Sequence, residues 1–435
     1  MAEKTPKPFS AEQKPTLTRF LGARHGLLAL AGMLTLTGNT GAAELDATLR
    51  VCTAGPAAAV ARAERLRGDA EVLSAGVLPN PSLVGEHQRT LRGPKEQETI
   101  LGLSVPLGIG GGRFILQDAA ASRRDQARAS AAATLFDSAL AFREAYLRAV
   151  TDQARVAVLA EQQAALESLS AAIQGLTKGG ETAGYDLLRQ QAEARRHRSS
   201  LEVARARAGA SQTLLEAWSE VGGLVSGSEL SSIASSTDAL PSSGQQALSV
   251  LELEAAARAS ALEARAARRR WVPDLDAFVG YRTVSAGDET GQGISLGLSV
   301  PLTLFDHGQG EAARAEAEGA VALARANALR SELRAEARAL RARLYGLSRA
   351  RSELDQASAE TTEIQLKARK LYAAGEASIT ELLEAFRTAE ETALAKIELM
   401  AEVAAARLEL MRALGTMFDA RLDRACRSDA GRAAP

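Results

Sequence analysis

The sequence predicts a mainly α protein with a small β part, built by internal duplication. Three observations carry this. Alanine, leucine, arginine and glutamate dominate the 435 residues, and all four favour helices. Long proline-free stretches carry apolar residues at seven-residue spacing. A motif ending in Ser104-Val105-Pro106-Leu107 returns as Ser299-Val300-Pro301-Leu302, at an offset of 195 residues.

Hydrophobic residues make up 46% of the chain but aromatics only 4%, so few large side chains are present to fill a thick core. The net charge of −1 gives no reason to expect binding to nucleic acid. Two cysteines exclude a disulfide scaffold, and four histidines leave little for a multi-ligand metal site.

Residues 1–43 have the pattern of a secretory signal peptide. Lys14, Arg19 and Arg24 precede an apolar run from Leu27 to Leu36, and Gly41-Ala42-Ala43 suits cleavage after Ala43. An uncleaved anchor is the alternative. Leu49-Arg50-Val51-Cys52 lacks the small residues of a lipoprotein box, so lipidation is not expected. Beyond residue 43 no run reaches the roughly 18 apolar residues of a spanning helix. An exported chain of this kind is periplasmic, secreted or built into the outer membrane.

The duplication has two further landmarks. Gly180-Glu181 with Leu187-Leu188 matches Gly375-Glu376 with Leu382-Leu383 at the same offset, and Leu78-Pro79-Asn80 pairs with Val272-Pro273-Asp274, one residue out of step. The chain therefore divides into a first repeat over 44–221, a Ser/Gly-rich linker over 222–244, a second repeat over 245–418 and a polar tail over 419–435, expected to be poorly ordered.

Each repeat opens with a helix, over 56–76 and 245–270. Two strands follow, over 81–90 and 98–107 in the first repeat, and over 275–284 and 293–302 in the second. Leu101, Leu103, Val105 and Leu107 alternate with small residues, as do Ile294, Leu296, Leu298, Val300 and Leu302. Strands of this length and weak alternation suit a transmembrane β-barrel. The first strand is the poorest, since Leu83, Gly85, His87 and Arg89 make no apolar face, whereas Leu275, Ala277, Val279 and Tyr281 do.

A long helix comes next, over 113–176 and 310–372, about 95 Å at the usual rise. Leu135, Phe142, Ala149 and Val156 are spaced by seven, then Leu159, Leu166 and Ile173, and in the second repeat Leu340, Leu347 and Leu354. That spacing calls for a left-handed coiled-coil seam. Glycine-containing turns over 178–184 and 373–378 reverse the chain into return helices over 185–221 and 379–414.

Four strands cannot close a barrel, and lipid does not tolerate an open edge. Closed barrels have about eight strands or more, so the chain must oligomerise: two copies give eight strands and three give twelve. The helices would continue below as a ring of coiled coils. The result would be a pipe, and the function expected of it is conduction.

The repeated strand–strand–long helix–turn–helix pattern resembles the TolC family of outer-membrane efflux proteins over about 56–415. The residues carrying the resemblance are Pro79-Asn80-Pro81, Leu103-Ser104-Val105-Pro106-Leu107 with Gly110-Gly111-Gly112-Arg113, and Leu298-Ser299-Val300-Pro301-Leu302 with Phe305-Asp306-His307-Gly308. The most specific is Leu371-Tyr372-Ala373-Ala374-Gly375-Glu376-Ala377-Ser378 leading to Leu382-Leu383. The Asn-Pro strand start and the glycine triplet look most like the CzcC-type branch, which serves heavy-metal efflux.

The resemblance implies a homotrimer with a 12-stranded barrel in outer-membrane lipid and a periplasmic α-helical tunnel. The tunnel would dock on a periplasmic adaptor, and an inner-membrane pump, commonly of the resistance–nodulation–division type, would supply the energy. No catalytic site or cofactor is implied. The turns at Gly180 and Gly375, flanked by Leu176, Leu187, Tyr372, Ser378 and Leu382, would be the adaptor-binding tips, with hairpin packing as the alternative role. Glu381 and Glu384, with Asp186 as the repeat equivalent of Glu381, match positions of acidic residues at the periplasmic constriction; a solvated helix face is the alternative. Crowded carboxylates repel one another and attract cations. A gate-latching arginine of some members is replaced here by Ala377. Family geometry places both termini near mid-tunnel, so Cys52 and Cys426 could pair, or remain two independent thiols.

His87 and His307 have no second ligand at i+3 or i+4 and read as lone surface histidines. A drug-efflux or type I protein-secretion duct is the alternative of the same class, and a periplasmic coiled-coil structural protein the alternative of another, against which the strand of Leu296 to Leu302 argues. An enzyme finds no support: Gly110-Gly111-Gly112 lacks the Gly-Lys-Ser/Thr of a phosphate loop.

Overall fold

The structure is a computed structural model that describes residues 40–93, 96–178, 184–218, 230, 233, 247–417 and 419–428. The expected signal peptide lies almost wholly outside these residues, as do the first-repeat turn with Gly180 and most of the linker.

Helix α1 (Thr40–Ala54) precedes α2 (Pro56–Gly76), strands β1 (Ser82–Arg89) and β2 (Glu96–Pro106), α3 (Gly112–Lys178) and α4 (Gly184–Trp218). The second repeat runs α5 (Leu248–Arg268), a 3₁₀ turn (Arg269–Trp271), β3 (Asp276–Ala286), β4 (Glu289–Ser299), α6 (Gln309–Ala373) and α7 (Ile379–Leu414). Helix α8 (Ala420–Ser428) ends the described chain.

Helices α3 and α6 have 67 and 65 residues, so each is about 100 Å long. Helix α3 packs on α2, α4, α5 and α7, and α6 packs on α5 and α7. Most of the seven-residue seam is buried: Leu135, Phe142 and Ala149, then Leu159, Leu166 and Ile173, then Leu340, whereas Val156, Leu347 and Leu354 are half-buried. Small residues dominate the rest of the core, which lets helix axes approach closely.

Helix α1 was not expected, and two further features differ from expectation. The polar tail is helical over α8, because Leu422 and Cys426, one turn apart, pack into the central cluster beside Val51 and Cys52 of α1. Strand β4 begins four residues earlier than expected. Gly287, at φ 64°, and Asp288 form a two-residue turn that pairs Ala286 directly with Glu289.

The four strands form one antiparallel sheet in the order β1-β2-β3-β4, with β1 and β4 as open edges. Its connections to the helices all lie at one end. There Gly110 donates its N–H to Asp274 Oδ1 at 3.0 Å, and Arg269 Nε donates to Gly110 O at 2.9 Å. Arg113 donates to Gly76 O at 2.5 Å. In the second repeat Gly308, at φ 84°, caps α6 and passes so close to α5 that a Cβ would lie 2.1 Å from Ala267 O. The glycines after each strand pair thus serve the joint between sheet and helices.

Candidate functional site: an apolar sheet face, a helical shaft and a helical tip

Pairing register builds one sheet face row by row. Leu83, Leu103, Val279 and Leu296 lie side by side across the four strands, and Gly85, Leu101, Tyr281 and Ile294 form the next row. Leu83 therefore joins an apolar face that β1 could not make alone. These side chains are exposed in the protomer, Leu296 and Ile294 both at 77%. An apolar face of this kind, with two open edges, requires both a lipid-like surrounding and further strands.

The opposite face is small and polar. Its rows are Ser82, Ser104, Phe278 and Gly297, then Val84, Gly102, Gly280 and Ser295. Glu98 and Arg282 pair on it at 2.6 Å. Among the described residues no helix is long and apolar enough to cross a membrane.

At the far end of the helices lies the tip. Helix α6 stops because Gly375 takes φ 74°, which lets Gly375 N–H reach Tyr372 O at 3.0 Å and Glu376 N–H reach Leu371 O at 2.9 Å. Helix α7 starts on a capping box. Glu381 N–H donates to Ser378 Oγ at 3.3 Å, and Ser378 N–H donates to Glu381 Oε2 at 2.7 Å. Those donors from Ser378 hold the Glu381 carboxyl below its usual range. Glu381 thus has a structural task, while remaining exposed.

Glu384 is exposed one turn on, 3.8 Å from Arg387. Asp186 lies in the first turn of α4. Burial, with Asp186 nearby, raises the Tyr372 phenol above its ordinary value, and among the described residues Tyr372 Oη has no hydrogen-bond partner. Arg189 Nη1 donates to Thr380 Oγ1 at 2.9 Å and joins the starts of α4 and α7.

The tip has its own core of Leu166, Ile173, Ile379, Leu382, Leu383 and Phe386, with Leu187 and Tyr372 packed against it. Leu382 is fully buried there, which corrects its expected place among the adaptor-facing residues: Leu382, Leu383 and Phe386 are on the inner stripe of α7. Among the described residues, the exposed apolar side chains at this end include Tyr185, Leu188 and Leu371 instead; the leucine pairing of the two repeats had not separated Leu188 from its buried neighbours. Gly180 lies outside the described residues, as does the Leu176 side chain.

Polar contacts continue up the seam between α4 and α7. Arg387 binds Glu193 through two hydrogen bonds, at 3.0 and 2.7 Å, and this holds the Glu193 carboxyl below its usual range. His197, buried one turn further, meets Glu390. Sequence reading missed both pairs, since their partners are almost 200 positions apart.

In the central cluster Cys52 and Cys426 form a disulfide, S–S 2.06 Å, that joins α1 to α8 across 374 positions. His87 Nδ1 lies 2.9 Å from Thr99 Oγ1 on the neighbouring strand, and His307 donates its backbone N–H to Gln309 Oε1. Among the described residues no group of three or more His, Cys, Asp or Glu side chains could hold a metal ion.

Residues 240–416 match the family model described as outer membrane efflux protein. No curated protein sequence matches the chain. Several solved structures share the fold. The outer membrane protein VceC from Vibrio cholerae superposes with a TM-score of 0.67 at 17% identity, covering 87% of this chain and 97% of that one. CusC, described in terms of transmembrane channel formation, gives 0.68 at 16% identity over 86% and 92%. The open state of the MtrE outer membrane channel of Neisseria gonorrhoeae gives 0.63 at 14% identity over 85% and 88%.

Proposed function

We propose that this chain is the outer-membrane exit duct of a tripartite efflux system. Three protomers each contribute four strands to a 12-stranded barrel, and their helices continue as a periplasmic tunnel. The duct conducts passively what an inner-membrane pump, of the resistance–nodulation–division type, delivers through a periplasmic adaptor. The observation that carries this reading is the apolar face of the open four-stranded sheet, joined at one end to helices about 100 Å long. A sheet of that kind is stable only when closed with further strands and surrounded by lipid. The match over the second repeat and the fold shared with outer membrane channels support it.

Adaptor contact falls to the tip: the turns at Gly180 and Gly375, with Leu176, Leu187, Tyr372 and Ser378 beside them. Glu381, Glu384 and Asp186 set the charge of the periplasmic aperture, where copies from three protomers would favour cations. The cargo is heavy-metal cations, on the resemblance of Asn80-Pro81 and Gly110-Gly111-Gly112 to the CzcC-type branch. Purified full-length protein in a planar lipid bilayer tests the duct. Discrete conductance steps are expected, and a protein that inserts without conducting contradicts the reading.

A further inference from the structure

His197 is 5% exposed on α4, where it faces two other helices. Its Nδ1 lies 3.1 Å from Glu390 Oε2 on α7, and its Nε2 lies 2.9 Å from Leu159 O on α3. Both partners are acceptors. A neutral imidazole carries one N–H, so only the doubly protonated ring satisfies both contacts.

The contact is part of a ladder. Arg189, Glu193 and His197 recur every fourth residue on one face of α4 and reach Thr380, Arg387 and Glu390 of α7. Glu193, one turn from His197, is already neutralised by Arg387. On α3, Arg155 lies one turn before Leu159 and is held by Asp152 and Glu398, so it does not compete for Glu390. Glu390 is thus the carboxylate His197 balances directly.

We propose that His197 is a pH-responsive clasp holding α4 to α7 and α3 on the tip-ward part of the shaft. Below neutral pH the imidazolium ties three helices at one point. When the proton leaves, one ring nitrogen turns a lone pair toward an oxygen, and Glu390 loses its counter-charge. The α4–α7 seam then loosens, and the shaft near the tip widens.

The sign follows from the environment. The Glu390 carboxylate above all, then the Leu159 carbonyl, raise the His197 value above that of a free imidazole, against the opposing effect of burial. The stabilisation is complete below the unfolded value and lost as pH rises through the folded one. The window opens near neutrality and extends to the alkaline side.

The test uses purified full-length protein and His197→Gln, with Glu390→Gln as a second variant should the first fail to fold. Melting is followed from about pH 6 to about pH 9, the range in which a histidine titrates. The wild type is expected to melt a few degrees above the variant at the acid end, with the gap closing at the alkaline end. A gap constant with pH overturns the clasp.

The conducting consequence rests on the duct reading and has its own readout. Wild-type conductance in planar bilayers is expected to rise severalfold toward alkaline pH, while His197→Gln stays flat. Identical pH profiles in both overturn the link between clasp and aperture. A wild type that conducts at no pH removes the duct reading, and the melting profile alone then decides the clasp.

Discussion

The ring of Phe278 lies against Gly280 of its own strand: its Cζ is 2.6 Å from where a Cβ on Gly280 would stand. Across the pair, a Cβ on Gly102 would meet the same atom at 2.7 Å. The largest side chain on the small, polar face thus lies flat on bare backbone. In a closed barrel this keeps the ring against the wall. Gly280→Ala is expected to lift the ring or shift the strand, at a cost of about 1–3 kcal/mol. Thermal melting measures the loss, and adding Phe278→Leu should recover most of it; additive losses would show that the two positions are independent.

The Cys52–Cys426 bridge joins the two ends of the described chain, with both sulfur side chains fully buried. Cys52→Ser is expected to lower stability by about 2–4 kcal/mol, the usual effect of removing a native bridge. Melting with and without a reductant checks this: wild type should shift on reduction, and the variant should not.

At the tip, Ser378→Ala removes the acceptor of the capping box and is expected to cost about 1 kcal/mol. Because the Glu381 carboxyl is held below its usual range, the contribution of the box is present above the unfolded carboxyl value and lost as pH falls through the folded one. Melting of Glu381→Gln and wild type should therefore converge in acid, whereas the Ser378→Ala gap should persist there, because the Glu381 N–H to Ser378 Oγ bond does not titrate. Glu384 has no capping role, so Glu384→Gln is the cleaner probe of the aperture. It should weaken block of single-channel conductance by divalent cations, and unchanged block would remove Glu384 from the aperture.

Burial, with Glu64 nearby, raises the Glu252 carboxyl on α5 above its ordinary value. Here the sign reverses: the charged form is disfavoured in the fold, so stability falls as pH rises through the unfolded value toward the folded one. Glu252→Gln is expected to melt higher than wild type near pH 7, with the advantage disappearing in acid. Melting curves at both ends of that range decide it.

Much of this architecture was legible in the chain. Seven-residue spacing from Leu135 to Ile173 found the seam of α3, and the bounds of α7 came out as Ile379–Leu414 because Ser378 and Gly415 punctuate that helix. The misses have physical causes. Helix α8 shows only Leu422 and Cys426 on its inner side, too short a pattern to read without α1 beside it. Ser378-x-x-Glu381 is a capping-box pattern, but the family resemblance at Glu381 points to the aperture and not to the helix start. Leu382 looked like a surface contact because both leucines beside the tip glycine stand close to it in sequence; helix geometry puts Leu382 inside. His197 sits in an arginine-rich stretch, and nothing local marks Leu159 and Glu390 as its partners.

The trimeric outer-membrane barrel is tested most directly by fractionating a Gram-negative host that expresses the full chain, then crosslinking the outer-membrane fraction. The expected result is a detergent-extractable species at three times the protomer mass. A soluble monomer in the periplasmic fraction would contradict it.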